Sequence, residues 1–170
     1  MKIRHIIGLF LFLSILSCEQ EEEATWLKGN LHTHTYWSDG DGFPEMVLDW
    51  YKSNDYQFIA LSEHNIIART EKWKKIPKSM IYQQAFEDYL KKYGEDWVEY
   101  TEDSAGISVK LKTESEYKPL FEEAGKFEII TAQEITDGYG GKPLHMNATN
   151  VQELIQPRHG NSVAQTMQNN

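Results

Sequence analysis

The sequence predicts an α/β fold built on a parallel β-sheet, and four segments carry that prediction. An extended run with alternating side chains, residues 27–34, is followed by a helical pattern over residues 44–53. Residues 57–62 then contain four consecutive apolar side chains, which is typical of a strand buried on both faces of a parallel sheet. A further buried strand is predicted at residues 126–135. The order strand, helix, strand favours parallel neighbours because the helix supplies the crossover.

Length, composition and charge bound the function. The chain has 170 residues, of which 40% are hydrophobic and 12% aromatic, so it can form one domain with a sizeable core. It carries 17 basic and 26 acidic residues, for a formal net charge of −9. This balance argues against a polyanion-binding groove, so we expect no nucleic-acid partner. A small phosphorylated substrate is compatible with it.

The amino terminus predicts export. A short basic start precedes an apolar run at residues 6–16, which has the length of a signal-peptide core and is too short for a permanent membrane-spanning helix. The Ile-Leu-Ser-Cys sequence that ends at Cys18 resembles a bacterial lipobox. We therefore predict a lipoprotein signal peptide over 1–17, a lipidated Cys18 and an acidic tether over 18–25. These features imply an exported protein held by a lipid anchor in the bacterial cell envelope, at the outer membrane or the cell surface. The alternative is that Cys18 is a buried or free thiol.

The first predicted strand carries two histidines on one face. Because side chains alternate across a strand, His32 and His34 share a face with Lys28 and Asn30. The polar, glycine-containing sequence after them forces a turn, which leaves the histidines at the carboxyl end of the strand and places Asp39 on the loop above. Taken alone, a His-x-His pair is more often a surface or hydrogen-bonded pair than a metal site.

The helix and the second strand come next. Pro44 suits the first position of a helix, and Glu45 suits its positive end. Helical spacing predicts that its packed face comprises Met46, Val47, Trp50 and Tyr51. The buried strand over 57–62 leads directly to His64. If the sheet is parallel, His64 lies at the same edge as the first two histidines.

Residues 66–125 are too long for a simple crossover, and we predict an insertion there. It contains an amphipathic helix over 80–93, whose predicted buried stripe is Ile81, Ala85, Tyr89 and Leu90. A half-exposed strand at 107–112 and a helix over 114–124 follow. A basic cluster lies just after His64: Arg69, Lys72, Lys74, Lys75 and Lys78. Such clusters are usually solvated, and the minority alternative is that Arg69 or Lys72 contacts a substrate phosphate.

The third core strand delivers Glu134 to the same edge. The glycine-rich stretch over 137–143 matches no phosphate-binding motif, and we interpret it as a flexible rim. The chain then becomes extended again and brings His145 near that rim. His159 is either a substrate contact or an ordinary loop histidine, and residues 163–170 are predicted to be an interrupted helix with no cap.

The carboxyl-edge residues together predict a metal site. They offer imidazole nitrogens and carboxylate oxygens without a thiolate, which fits Zn, Mn or Fe. Six ligands exceed the need of one tetrahedral ion, so we expect two or three divalent ions and a metal-activated water. The predicted metal ligands are His32, His34, Asp39, His64, Glu134 and His145, and all except Asp39 are also predicted catalytic residues.

Four ordered motifs resemble the polymerase and histidinol phosphatase (PHP) family of metal-dependent phosphoesterases. They are Asn-Leu-His-Thr-His over 30–34 with Ser-Asp-Gly over 38–40, Ser-Glu-His-Asn over 62–65, Gln-Glu-Ile-Thr over 133–136 and His-Met-Asn over 145–147. The resemblance implies a distorted seven-stranded (β/α)7 barrel, with metals at its mouth and hydrolysis of phosphate esters. By position, Glu134 would bridge two ions.

Two departures from the family affect this expectation. Glu63 stands where many members have aspartate, and the later histidine and the terminal Asp-x-His of the family are absent. We therefore expect residues 26–170 to be the amino-terminal part of a PHP-like domain, with the barrel incomplete. Such a chain is expected to have low stability and little or no activity alone.

Three functions remain open at this stage. The leading hypothesis is an anchored metal-dependent phosphoesterase acting on small phosphorylated molecules. The second is a nuclease or carbohydrate-active hydrolase that uses the same metal site. The third is a non-catalytic surface-binding protein, or an inactive fragment, in which metal only stabilises the fold.

Overall fold

The computed structural model describes residues 25–170. The predicted signal peptide, Cys18 and the tether up to residue 24 lie outside the described residues. The described elements are, in chain order, β1 (Gly29–Thr33), α1 (Pro44–Ser53), β2 (Phe58–His64), β3 (Trp73–Lys75), α2 (Met80–Tyr93), β4 (Tyr100–Asp103), β5 (Gly106–Lys110), α3 (Glu114–Phe121), β6 (Glu128–Tyr139), β7 (Lys142–Thr149) and α4 (Val163–Asn169).

The main sheet has four strands in the order β1-β2-β6-β7 and curls into a half-barrel. β1, β2 and β6 are parallel, whereas β7 runs antiparallel to β6. The predicted α/β class with a parallel core is therefore confirmed. Within the described residues the main sheet is this four-stranded arc, and the seven-stranded barrel implied by the family resemblance stays a prediction.

β2 lies in the interior of the sheet because it has apolar side chains on both faces. Ile59 and Ala60 are fully buried, Leu61 is nearly so, and β2 pairs with β1 on one side and β6 on the other. A central parallel strand has no solvated face, which explains the unbroken apolar run. The pairing of β2 with β6 places His64 directly beside Glu134.

Residues 66–125 form a separate three-stranded antiparallel sheet, in the order β3-β5-β4, together with α2 and α3. This insertion packs on α1 through the buried Glu45, whose Oε1 accepts hydrogen bonds from Tyr89 (2.7 Å) and Trp97 (2.8 Å). One hydrophobic cluster consequently joins α1, β2 and the insertion; it includes Trp37, Phe43, Leu48, Ile59, Tyr89 and Val109.

Two predicted helix faces need correction. In α1 the fully buried apolar residue is Leu48, whereas Trp50 is 54% exposed and the other three predicted residues are half-buried. In α2, Ile81 is 74% exposed, and Phe86 is buried beside the correctly predicted Tyr89. In both helices the cause is the same: the insertion and α1 pack on each other through Glu45. The face of each helix that contains this contact is therefore the buried one.

The glycine-rich stretch that we interpreted as a flexible rim is a β-hairpin. β6 continues to Tyr139, and β7 begins at Lys142. Gly140 and Gly141 form the two-residue turn with positive φ angles of 59° and 73°. Such a turn needs residues that adopt the left-handed conformation without strain, and two glycines meet that need.

The last part of the chain covers the outer side of the hairpin. Gln133 exchanges two hydrogen bonds with the backbone of Ile155, at 2.8 and 2.6 Å. α4 packs against β6 and β7 and confirms the predicted helix. The helix has a cap, contrary to the prediction, because Ser162 Oγ accepts a hydrogen bond from the backbone N–H of Gln165 at 3.1 Å. No helix within residues 25–170 is both long and apolar enough to cross a membrane.

Candidate metal centre

All six predicted metal ligands meet on the concave side of the main sheet. They form three overlapping groups, and in each group one ligand atom per residue lies within 4.8 Å of the others. The groups are His32, His34 and Glu134; His34, Asp39 and His64; and His64, Glu134 and His145. The predicted convergence of these side chains is thus observed.

The sheet brings these residues together through strand register and alternation. His32 lies on β1, and His34 follows β1 directly. Pairing in register places His64 beside Glu134. His145 pairs with Thr136, two residues beyond Glu134, so it projects on the same side of the sheet. Asp39 comes from the loop between β1 and α1.

Glu134 is the centre of the cluster. Its side chain is 6% exposed, and its Oε2 lies 3.0 Å from His34 Nε2, 3.5 Å from His64 Nδ1 and 3.6 Å from His32 Nε2. Its other oxygen, Oε1, contacts His145 Nδ1. A carboxylate with imidazoles on both oxygens has the arrangement needed to bridge two cations.

Asp39 lies on the open side of the cluster. Its side chain is 69% exposed, and its two oxygens lie 3.4 Å from His34 Nδ1 and 3.4 Å from His64 Nε2. The exposed carboxylate opposite the buried Glu134 means that the cluster has a closed floor and a solvent-facing mouth. Water can reach the cluster from that side.

The local electrostatics match a site prepared for cations. Burial, and then the neighbouring His64, lowers the pKa of His34 below 6.5, so the imidazole is held neutral. Partial burial opposes ionisation of Asp39, yet His64 and His34 hold the pKa of its carboxyl below 3.8. Neutral imidazoles and ionised carboxylates are the forms that bind metal.

Three hydroxyl side chains support the predicted histidines, and sequence reasoning assigned them no role. Ser62 Oγ lies 3.0 Å from His32 Nδ1, and Ser38 Oγ lies 3.2 Å from His34 Nδ1. Thr136 Oγ1 contacts His64 Nδ1. All three stand within the motifs that carry the family resemblance, so their position next to the ligands was the available signal.

Asn147 adds a contact between the two outer strands of the sheet. Its Nδ2 donates to the backbone carbonyl oxygen of Leu31 at 2.5 Å. This hydrogen bond joins β7 to β1 across the concave side, although neither strand pairs with the other in the sheet. Because Asn147 stands two residues after His145, the bond fixes that ligand relative to His32 on β1.

The predicted substrate contacts lie outside the three ligand groups. Arg69 donates to Glu114 (3.0 Å) and to the carbonyl oxygen of Gln152 (2.6 Å). The ammonium group of Lys72 contacts the carbonyl oxygen of Trp37, and burial lowers its pKa. Both cations therefore already have protein acceptors.

His159 lies on the other side of β6 from the metal ligands. It contacts the carboxylate of Asp137, three residues after Glu134, and alternation places these two acidic side chains on opposite faces of the strand. The imidazole of His159 is 75% exposed. Its role as a substrate contact stays a prediction.

Neither a comparison with protein-family models nor a search of curated proteins finds a match for this chain. The ligand cluster and the four motifs are therefore the features of this chain that bear on its function.

Proposed function

We propose that this chain is a metal-dependent hydrolase that removes phosphate from small phosphorylated molecules. The observation that carries the proposal is the overlap of the three ligand groups, which share His34, His64 and Glu134. Overlapping groups suit two or three adjacent divalent ions, with Zn, Mn and Fe as the metals that fit nitrogen and oxygen ligands. A single structural ion would need only one of these groups.

The residues have distinct tasks in the proposed reaction. Bound divalent ions would supply a water that is deprotonated near neutral pH and a positive field for the phosphoryl oxygens. Glu134 would bridge two ion positions from the buried floor of the site. The histidines would hold the ions, and Asp39 would complete coordination at the mouth, where a substrate enters.

The substrate proposal follows from charge and access. The chain is acidic overall, which disfavours long polyanions, whereas a cluster of cations at an open mouth would attract a small phosphate ester locally. Since Arg69 and Lys72 already have protein acceptors, the ions themselves would be the main phosphate-binding groups.

The order and spacing of the four motifs support membership of the PHP family, and with it the distorted seven-stranded barrel as the finer fold. Export and lipid anchoring through Cys18 are also part of the proposal, and the lipobox-like sequence is what supports them. An anchored enzyme with an open mouth would act on phosphorylated molecules outside the cytoplasm.

Substrate turnover tests the proposal. The protein, loaded in turn with Zn²⁺, Mn²⁺ and Fe²⁺, is incubated with phosphate monoesters, phosphate diesters, oligonucleotides and glycosides, and the products are measured. The incomplete barrel led us to expect little activity, but because all six ligands meet in this chain we now expect metal-dependent release of phosphate from small esters. Glu134→Gln should reduce the rate of phosphate release by more than about 10-fold. Substitution of a residue that only hydrogen-bonds to a metal ligand already lowers metal affinity or activity by about 10- to 100-fold, and Glu134 is itself a proposed ligand. Glu128→Gln, the same change on an exposed position of β6, is the matched control.

Two other results would replace the proposal. Cleavage of oligonucleotides or glycosides in preference to small phosphate esters would favour the nuclease or carbohydrate-active alternative. Tight metal binding without turnover of any substrate, and with every coordination position filled by protein, would favour a metal-stabilised binding protein.

A further inference from the structure

Glu63 is a buried carboxylate next to the metal centre that does not itself belong to any of the three ligand groups. It lies on β2 between Ser62 and His64 and is 2% exposed. Its Oε1 accepts hydrogen bonds from the backbone N–H of Thr35 (2.9 Å) and from the Thr35 hydroxyl (2.6 Å). Its Oε2 contacts the hydroxyl of Ser38. Glu63 therefore organises the loop that carries His34 and Asp39.

Ser38 is the link between Glu63 and two of the ligands. Its Oγ lies 3.2 Å from His34 Nδ1 and 3.4 Å from Asp39 Oδ1. A hydroxyl has only one proton to donate, and in all three hydrogen bonds at Glu63 the carboxylate oxygens accept, from the Thr35 N–H, the Thr35 hydroxyl and the Ser38 hydroxyl. When Ser38 donates to Glu63, its oxygen must accept from His34, so the proton of that imidazole is on Nδ1.

This arrangement leaves the other nitrogen of His34 free. Nε2 faces the interior of the cluster, 3.0 Å from Glu134 Oε2 and 3.2 Å from His32 Nε2. In the Nδ1–H tautomer, Nε2 carries a lone pair directed to the position between these ligands. The partner of the distal nitrogen commonly fixes the tautomer of a metal-binding histidine.

We propose that Glu63 is a positioning residue that acts through Ser38. By accepting the hydrogen bond of the Ser38 hydroxyl, it keeps the serine proton away from the metal ligands. His34 Nε2 therefore stays available to a divalent cation, and the Ser38 proton is not directed to the carboxylate of Asp39. This inference rests on the metal site of the proposed function, but not on hydrolysis.

Glu63→Gln is the discriminating variant because Thr35 fixes the orientation of the new amide. The backbone N–H of Thr35 must donate, so the amide oxygen takes the place of Oε1 and the amide NH₂ faces Ser38. Ser38 can then no longer donate to residue 63. Its proton turns to His34 Nδ1 or to Asp39 Oδ1, and either choice engages a metal ligand. We expect a 10- to 100-fold loss of metal affinity, the usual effect of changing such a partner.

A double-mutant cycle separates this role from a general structural one. Ser38→Ala removes the proton that has to be placed, so it should weaken binding less than Glu63→Gln does. In the Ser38→Ala background, Glu63→Gln should then cause no further loss of affinity. If Glu63 only stabilised the loop, its substitution would weaken binding to the same extent in both backgrounds.

The measurement uses Co²⁺ and the full chain. Affinity is obtained by competition with a chelator, and the visible absorption spectrum of bound Co²⁺ reports the number and geometry of its ligands. The spectrum of Glu63→Gln should change, whereas Glu114→Gln should leave it unaltered; Glu114 is also largely buried and contacts Arg69. Thermal unfolding without metal shows whether each variant folds.

The outcomes are distinguishable. If the unmodified protein does not bind Co²⁺, the proposed metal site itself is wrong. If it binds and Glu63→Gln binds within about 2-fold of it, or if the two substitutions add fully, the role of Glu63 through Ser38 is refuted. If Glu63→Gln does not fold, the comparison of Ser38→Thr with Ser38→Ala replaces it, because threonine keeps the hydroxyl and alanine removes it. Equal Co²⁺ affinities of these two variants would refute the inference.

Discussion

Removal of metal should destabilise this protein by an amount that the ligand groups predict. An ion that binds only the folded state stabilises it by about 2.7 kcal/mol when its free concentration is 100 times its dissociation constant. Two ions in the three overlapping groups would then contribute about 5 kcal/mol. For a domain of this size, each kcal/mol shifts the melting temperature by about 2–4 °C, so we expect a metal-dependent shift of about 10–20 °C.

Glu134→Gln tests how that stabilisation is distributed. Glu134 belongs to two of the three groups, and only the group of His34, Asp39 and His64 lacks it. The variant should therefore retain the stabilisation of at most one ion, a shift of about 5–10 °C. Adding Asp39→Asn should remove the remainder, while Glu128→Gln should keep the full shift. Differential scanning calorimetry with and without a chelator measures each value. An undiminished shift in Glu134→Gln would refute the assignment of Glu134 as the shared ligand.

Three further predictions concern the scaffold. Leu48→Ala should cost about 2–5 kcal/mol in urea unfolding, because its side chain is fully buried beneath α1. Burial raises the pKa of Glu45 above 4.5, so the folded state holds its proton more tightly; stability is greatest below about pH 4.5 and falls as the pH rises through the folded pKa. Glu45→Gln should remove this decline above pH 4.5, and an unchanged decline would exclude Glu45 as its source. Although burial opposes ionisation of Asp137, hydrogen bonds from Asn170, Gly138 and His159 lower its pKa to about 2. Its contribution is therefore present above about pH 3.8 and lost toward pH 2, and Asp137→Asn should flatten that acid range and speed amide hydrogen exchange in residues 157–170.

The ligand cluster was predictable because it depends on two strong regularities. Alternation along β1 placed His32 and His34 on one side, and the common edge of parallel strands placed His64 and Glu134 side by side. Both follow from backbone geometry alone and need no knowledge of side-chain packing. His145 was harder to place, because its position depends on a hairpin; the indications were its extended surroundings and the His-Met-Asn motif over 145–147.

The parts that sequence missed depend on which of several faces the rest of the chain covers. α1 contains apolar residues at 46, 47, 48, 50 and 51, so periodicity alone supports more than one packed face. Docking of the insertion through Glu45 buries Leu48 and leaves Trp50 exposed. Likewise, a pair of glycines predicts a turn, but only the pairing of β6 with β7 shows that ordered strands flank it.

The geometry of the sheet explains how six ligands meet within four strands. β1, β2, β6 and β7 are consecutive neighbours, so strands that carry ligands are separated by one to three strand spacings, about 5–14 Å. The curl of the sheet shortens these distances further, and the hydrogen bond from Asn147 to Leu31 holds its outer strands together. The loop that carries Asp39 is fixed to β2 by Glu63. Every ligand is thus held by contacts within this arc, and the three ligand groups can form without any further strand contributing a side chain to them.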